Sequence, residues 1–200
     1  LRLFDTTISV MQTADSLERI AYELAEDAAE DGVRYIEVRN APILNVVKGL
    51  SLVEAVEAPL RGLRRAEKDF GITGRFILIA LRQFSAEHSL EMSRLAVEFK
   101  NDGVVAFDLA GGEKGNPASV HAAAFQYARD NNLAVTVHAG EGDGPHSIRE
   151  AIHLCGANRI GHGTRLIEDP ELTQYVNDRR IALEVCLTSN VQTRVAESYA

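Results

Sequence analysis

The chain has 200 residues, 46% of them hydrophobic and 25% charged, with a formal net charge of -8. That composition is ordinary for a globular protein, and the acidic balance argues against a nucleic-acid or anionic-membrane partner, both of which need a basic patch. No stretch of about 18 apolar residues occurs, and two cysteines, Cys155 and Cys186, make neither a disulfide scaffold nor a CxxC metal site. A cytoplasmic location is expected, because the first residues, Leu1 to Asp5, lack the features of a secretion signal. They also lack an initiator methionine, so the chain is expected to begin part-way into a longer protein.

The first predicted helix covers 15–31, where Leu17, Ile20, Ala21, Leu24, Ala25 and Ala28 recur at helical spacing and Gly32 stops the run. A strand over 33–38 follows, ended by Pro42. Residues 52–70 are helical, with Pro59 expected to start a new helix or kink an old one. Strand 75–81 carries Phe76, Ile77, Leu78 and Ile79; helix 90–100 and strand 104–109 come next. Helix 119–130 leads into strand 133–138. Pro145 suits a first helical turn, and Ser147 with Glu150 has capping-box spacing for a helix to Cys155. Strand 158–162, helix 170–177 and strand 181–186 complete the alternation. Thr188, Ser189 and Asn190 then form a polar loop, and 191–200 is helical at its start.

Six strands alternating with helices indicate βαβ units and a parallel sheet. No Gly-x-Gly-x-x-Gly follows a strand, so the dinucleotide-binding form of this class has no support. A (β/α)₈ TIM barrel fits better, as a single α/β domain over 1–200 with about six of eight units present. Polar groups gather where the strands end: Glu37, Arg39 and Asn40; Arg82 and Gln83; Asp108; His138; His162; Glu184 and Thr188. In such barrels the active site lies at the C-terminal strand ends, although interior ion pairs such as Glu37 with Arg39 or Arg82 gather there too.

The most informative stretch is 134–142, an apolar run that ends in His138, followed by Ala139, Gly140, Glu141 and Gly142. This order suits a metal ligand on a strand tip with an acid/base carboxylate on the loop above it, although taken singly such residues are more often a satisfied core histidine and a solvated glutamate. A second tip, Ile160-Gly161-His162-Gly163, repeats the pattern, and its glycines permit unusual torsions or close approach. These are the only histidines on predicted strands; His88, His121, His146 and His153 read as surface or packing residues.

Taken together, His138-Ala139-Gly140-Glu141, Gly161-His162-Gly163-Thr164-Arg165-Leu166, and Leu183-Glu184-Val185-Cys186 with Thr188-Ser189-Asn190 resemble the motifs of the adenosine deaminase family. Tyr35 to Arg39 with Ala41 and Pro42, and Asp108 to Gly111, are similar to two further strand ends of that family. The resemblance implies a (β/α)₈ hydrolase converting adenosine and deoxyadenosine to the inosine product and ammonia, with one Zn2+ per site. It makes His138 a zinc ligand, Glu141 the proton donor to purine N1, His162 the residue that orients and helps deprotonate the attacking water, and Gly111 a backbone contact to the purine. The small-molecule partner is therefore a purine nucleoside.

Two features of the family are missing. There is no His-x-His, which supplies two zinc ligands on its first strand, and no Asp-Asp, which supplies the last ligand on its eighth. The strands here would then be the second to seventh, the domain is expected to be truncated at both ends, and the 200 residues alone should hold zinc weakly and be inactive unless completed. The two outer strands would present open edges prone to self-association. Alternatives are a deaminase of another 6-aminopurine, such as adenine or an adenosine-containing metabolite, and a non-catalytic barrel fragment that acts as a binding or assembly module.

Overall fold

A computed structural model describes residues 2–198 of the chain; Leu1, Tyr199 and Ala200, and with the last two the end of the stretch 191–200 that was expected to be helical at its start, lie outside the described residues. The chain forms two compact units, one of residues 1–79 with 98–105, the other of 80–97 with 106–200.

The first unit holds α1 (Arg2–Val10), α2 (Ala14–Glu30), β1 (Tyr35–Asn40), α3 (Leu52–Phe70) and most of β2 (Thr73–Leu81). The α1 helix was not anticipated from sequence. Strands β1 and β2 are parallel, Tyr35 opposite Thr73 through to Asn40 opposite Leu78, and the Phe76 amide donates to the Gly103 carbonyl at 2.9 Å. Pro59 neither breaks nor restarts α3, which is one helix of 19 residues. A mid-helix proline costs about 3 kcal/mol. Here the helix keeps Ala55, Val56, Ala58, Pro59, Leu60, Leu63 and Ala66 buried along one side, and that burial outweighs the lost hydrogen bond. Its start is secured by a reciprocal capping box between Ser51 and Glu54.

The second unit holds the end of β2, α4 (Ala86–Glu98) up to Val97, the rest of β3 (Val104–Ala110), α5 (Ala122–Asp130), β4 (Ala134–Ala139), α6 (Pro145–His153), β5 (Arg159–His162), α7 (Pro170–Asp178), β6 (Ala182–Glu184) and α8 (Leu187–Gln192). The strands follow one another in chain order, and β3–β4, β4–β5 and β5–β6 are parallel. Val135, Val137, Ile160, Phe107, Leu109 and Ile148 are buried here, with the Phe107 and Phe125 rings 5.0 Å apart. Parallel strands covered by helices on βαβ crossovers read as near-continuous apolar runs, and β2 does so from Phe76 to Leu81.

Three local expectations need correction. The Ser147–Glu150 capping box does not form: α6 starts at Pro145 after Gly144 without a side-chain cap, and Glu150 instead accepts from the Ser119 amide and hydroxyl, both at 3.2 Å. The helix expected over 119–130 is split into a 3₁₀ turn, Ala118–His121, and α5. The polar run 188–190 is not a loop but the middle of α8, closed by the Asn190 amide donating to the Cys186 carbonyl at 2.9 Å. Among the described residues no helix is long and apolar enough to cross a membrane.

Candidate active site at the strand tips

Every residue of the site belongs to the second unit. The parallel register of β4 and β5 sets His138 opposite Gly161 and Ala139 opposite His162. The two imidazoles therefore meet across the ladder, ring centroids 5.4 Å apart and tilted by 56°. Gly161 permits this, because a Cβ there would lie 3.1 Å from both Cα and Cγ of His138. Its value is close approach, as the sequence suggested.

His138 Nδ1 lies 3.1 Å from the Asp108 carboxylate, which comes from the tip of β3 and is fully buried. Asp108 is itself oriented by the Leu109 amide, which donates to it at 2.8 Å. A carboxylate on Nδ1 fixes the tautomer in which Nε2 carries the lone pair, the arrangement that supports metal-ligating histidines. The His138 carbonyl receives the Arg82 guanidinium at 2.8 Å, and the same guanidinium donates to the Asn116 carbonyl at 2.6 Å. Arg82 thus secures two backbone segments by donating to carbonyls. Burial lowers its pKa from the usual arginine range.

His162 is held in the left-handed region, with φ of 64°. Such a torsion is rare outside glycine and persists only where the surroundings impose it. The sequence placed unusual torsions on the flanking glycines; the structure gives one to Gly163, φ 67°, and one to the histidine itself. His162 Nδ1 lies 3.0 Å from the Asn190 side-chain oxygen, and Nε2 lies 3.5 Å from the Glu141 carboxylate. An amide oxygen accepts only, so Nδ1 can donate to Asn190, which leaves Nε2 facing the Glu141 carboxylate. Thr193 donates to the other Glu141 oxygen at 3.2 Å. The Glu141 side chain is 26% exposed, against 8% for His162. The carboxylate is thus neither solvated freely nor sealed.

Glu141 reaches this position through the loop after β4. Gly140 has φ of 73°, and a Cβ there would sit 2.5 Å from Ile148 Cδ1, so only glycine fits. The buried Glu113 carboxylate accepts four successive loop amides, those of Gly140, Glu141, Gly142 and Asp143, at 2.5 to 3.1 Å.

The structure brings together His138, Glu141 and His162 of the expected residues. Gly111 stands just past the end of β3, three positions after Asp108, exposed and with φ of 102°. The other four histidines lie elsewhere: His121 is buried against Ser89, His88 is half-buried beside Phe84, and His153 and His146 are exposed, beside Tyr175 and Asp143. Asp108 was visible in the sequence as a strand-end acid, but its partner was not. Asn190 entered only as a member of the Thr188-Ser189-Asn190 motif, with no role of its own; Thr193 gave no signal beyond polarity, and Glu113 gave none, because its partners are backbone amides.

His138 with Asp108 fits a zinc ion as one ligand with its supporting carboxylate. Among the described residues no group of three or more His, Cys, Asp or Glu side chains is arranged to hold a metal, so further ligands are required.

Parallel strands with alternating helices, and histidines and carboxylates on successive strand tips, are the arrangement of the (β/α)-barrel class, in which sites lie at the C-terminal strand ends. The adenosine deaminase family profile matches residues 1–200, and the chain belongs to that family. It is 43% identical to adenosine deaminase of Mycobacterium avium over 218 residues, covering the whole chain and 60% of that enzyme. Among solved structures, adenine deaminase of Arthrobacter aurescens superposes with a TM-score of 0.91 at 28% identity, over 98% of this chain and 61% of that one. An amidohydrolase of Burkholderia ambifaria, solved with bound zinc, superposes with a TM-score of 0.87 at 30% identity, over 92% of this chain and 51% of that one. The chain therefore spans a little over half the length of these relatives.

Proposed function

We propose that the whole protein is a cytoplasmic, zinc-dependent deaminase that converts adenosine, and deoxyadenosine, to the 6-oxo nucleoside and ammonia. The single observation that carries this reading is the cluster Asp108–His138 with Glu141–His162–Asn190, assembled on adjoining strand tips. The domain reading over 1–200 is part of the proposal: a barrel whose remaining units contribute the other zinc ligands.

In this reading His138 is a zinc ligand through Nε2, held by Asp108. The metal, when bound, lowers the pKa of water toward about 7 and so makes hydroxide available at neutral pH. The rest is the work of side chains. His162, with Nε2 as acceptor, orients the attacking water and takes its proton, while the Asn190 oxygen stabilises the charge that forms on the ring. Glu141 donates a proton to purine N1, which withdraws electrons from C6 and favours addition there. The tetrahedral C6 centre then loses ammonia after its amino group is protonated. Thr193 fixes the rotamer from which Glu141 reaches the base, and Gly111 offers backbone to the purine without a side chain in the way.

A second substrate reading is kept for one reason. The adenine deaminase of Arthrobacter aurescens superposes over almost the whole chain. Against it stands the higher identity to an adenosine deaminase. Turnover of adenosine and adenine by the full-length protein, followed by ultraviolet absorbance, decides between them. Preference for adenosine by at least about a hundredfold in kcat/KM supports the nucleoside; preference for adenine removes it.

A further inference from the structure

The loop that carries Glu141 is built around an internal anion. Glu113 leaves β3 by a short loop, is buried, and its two carboxylate oxygens accept four consecutive amides: Gly140 on one oxygen, and Glu141, Gly142 and Asp143 on the other. Successive N–H groups that converge in this way form a nest, an anion-binding concavity elsewhere used for phosphates. The negative charge is delocalised over four dipoles, each a charge-assisted hydrogen bond and so roughly twice as strong as a neutral one. Gly142 lines the nest, since a Cβ there would sit 3.5 Å from that of Glu113.

The rest of the loop is tied from the other side. The Gly140 carbonyl accepts the Thr164 hydroxyl at 2.8 Å and the Arg165 amide at 3.0 Å, both from the segment after His162. The peptide unit that precedes Glu141 is thus fixed at both its polar atoms. Only the side-chain torsions of Glu141 are left, and Thr193 and His162 restrain those.

We propose that Glu113 is a positioning residue of the site, an anion seated in the 140–143 amide nest that sets where Glu141 delivers its proton. This rests on the reading of Glu141 as the proton donor, and it assigns Glu113 no contact with substrate. Without the carboxylate, four amides lose their partner, the loop takes up other conformations, and Glu141 is found at the right place only part of the time. The loss falls on turnover more than on binding, because misplacement of a catalytic group by about 1 Å costs on the order of a hundredfold.

The experiment uses full-length protein carrying Glu113→Gln and Glu113→Ala. Amide hydrogen exchange of 139–144 is measured together with kcat and KM for adenosine, with and without added sodium formate. Glu113→Gln keeps the shape but loses the charge and one acceptor. We expect loop exchange to quicken by about tenfold or more with β3 and α5 unchanged, and kcat to fall about 10–100-fold with KM within about twofold. Formate, a small carboxylate able to enter the vacated nest, restores part of both the protection and the kcat of Glu113→Ala. Unchanged loop exchange in Glu113→Gln contradicts the proposal. So does protection lost evenly along the chain, for the carboxylate would then hold the fold and not the loop. Formate that restores neither quantity contradicts it as well. Wild-type protein without turnover on any 6-aminopurine would defeat the assignment of Glu141 while leaving the exchange result to test the nest by itself.

Discussion

His121 shows how a buried titratable side chain leaves a mark on stability. Its ring is buried beside Ser89, with Nδ1 2.8 Å from the hydroxyl, and burial lowers its pKa from 6.5. The unfolded chain therefore binds this proton at a higher pH than the folded one. Stability contributed by the neutral ring is fully present above about pH 6.5 and falls as pH drops below it. Urea midpoints measured at pH 7.5 and 5.5 should decrease, and the decrease should shrink in His121→Asn, which keeps a polar group near Nδ1 but does not titrate. An equal decrease in that variant would place the effect elsewhere. At this scale the sequence was most informative where a residue type is itself unusual on a strand tip. His138, Glu141 and His162 could be picked out in this way. Asp108 and Asn190 showed only as members of short motifs and Glu113 not at all, because what defines each is a partner 27 to 30 positions away, brought near only by the fold.

The elements show the same division between local and non-local causes. The capping box at Ser51 and Glu54 forms with both hydrogen bonds, whereas the equally spaced Ser147 and Glu150 do not, because Glu150 has a better use in holding Ser119. Ser51→Ala should lower the unfolding free energy by about 1 kcal/mol, while Ser147→Ala should show no capping effect. Denaturant midpoints read both, and an equal loss in the two would contradict the distinction. Pro59 looked like the start of a new helix or a kink because local rules count only its missing N–H. The apolar side of α3 spans both flanks of it, and tertiary burial decides. The short α8 looked like a loop because Thr188, Ser189 and Asn190 are poor helix formers. Its geometry brings Asn190 to His162 and Thr193 to Glu141, one helical turn apart.

For the molecule as a whole, strict alternation of apolar strands with amphipathic helices was enough to predict parallel strands in chain order, and these are found. The sequence could not divide the chain into its two contact units, since that division cuts across β2 and β3 and follows no change in composition. The first and last strands in the order are β1 and β6. Exposed apolar side chains mark each: Tyr35 on β1, and Leu183, Val185 and Leu187 on and after β6. Outer strands of a sheet offer backbone edges that template further pairing. Expressed by themselves, these 200 residues are therefore expected to self-associate, with a mass by light scattering above 21.9 kDa that rises with concentration. A strictly monomeric species across the range would contradict that expectation.

The central claim is that Glu141, poised 3.5 Å from His162 Nε2, donates the proton that activates the purine. Glu141→Gln in the full-length protein tests it directly, because the amide keeps the shape and the Thr193 contact but has no acidic proton to give. Steady-state kcat for adenosine should fall by about two to four orders of magnitude, the range that general acid catalysis supplies, while zinc content and the denaturant midpoint stay at wild-type values. A kcat within about threefold of wild type, with zinc still bound, would contradict the account.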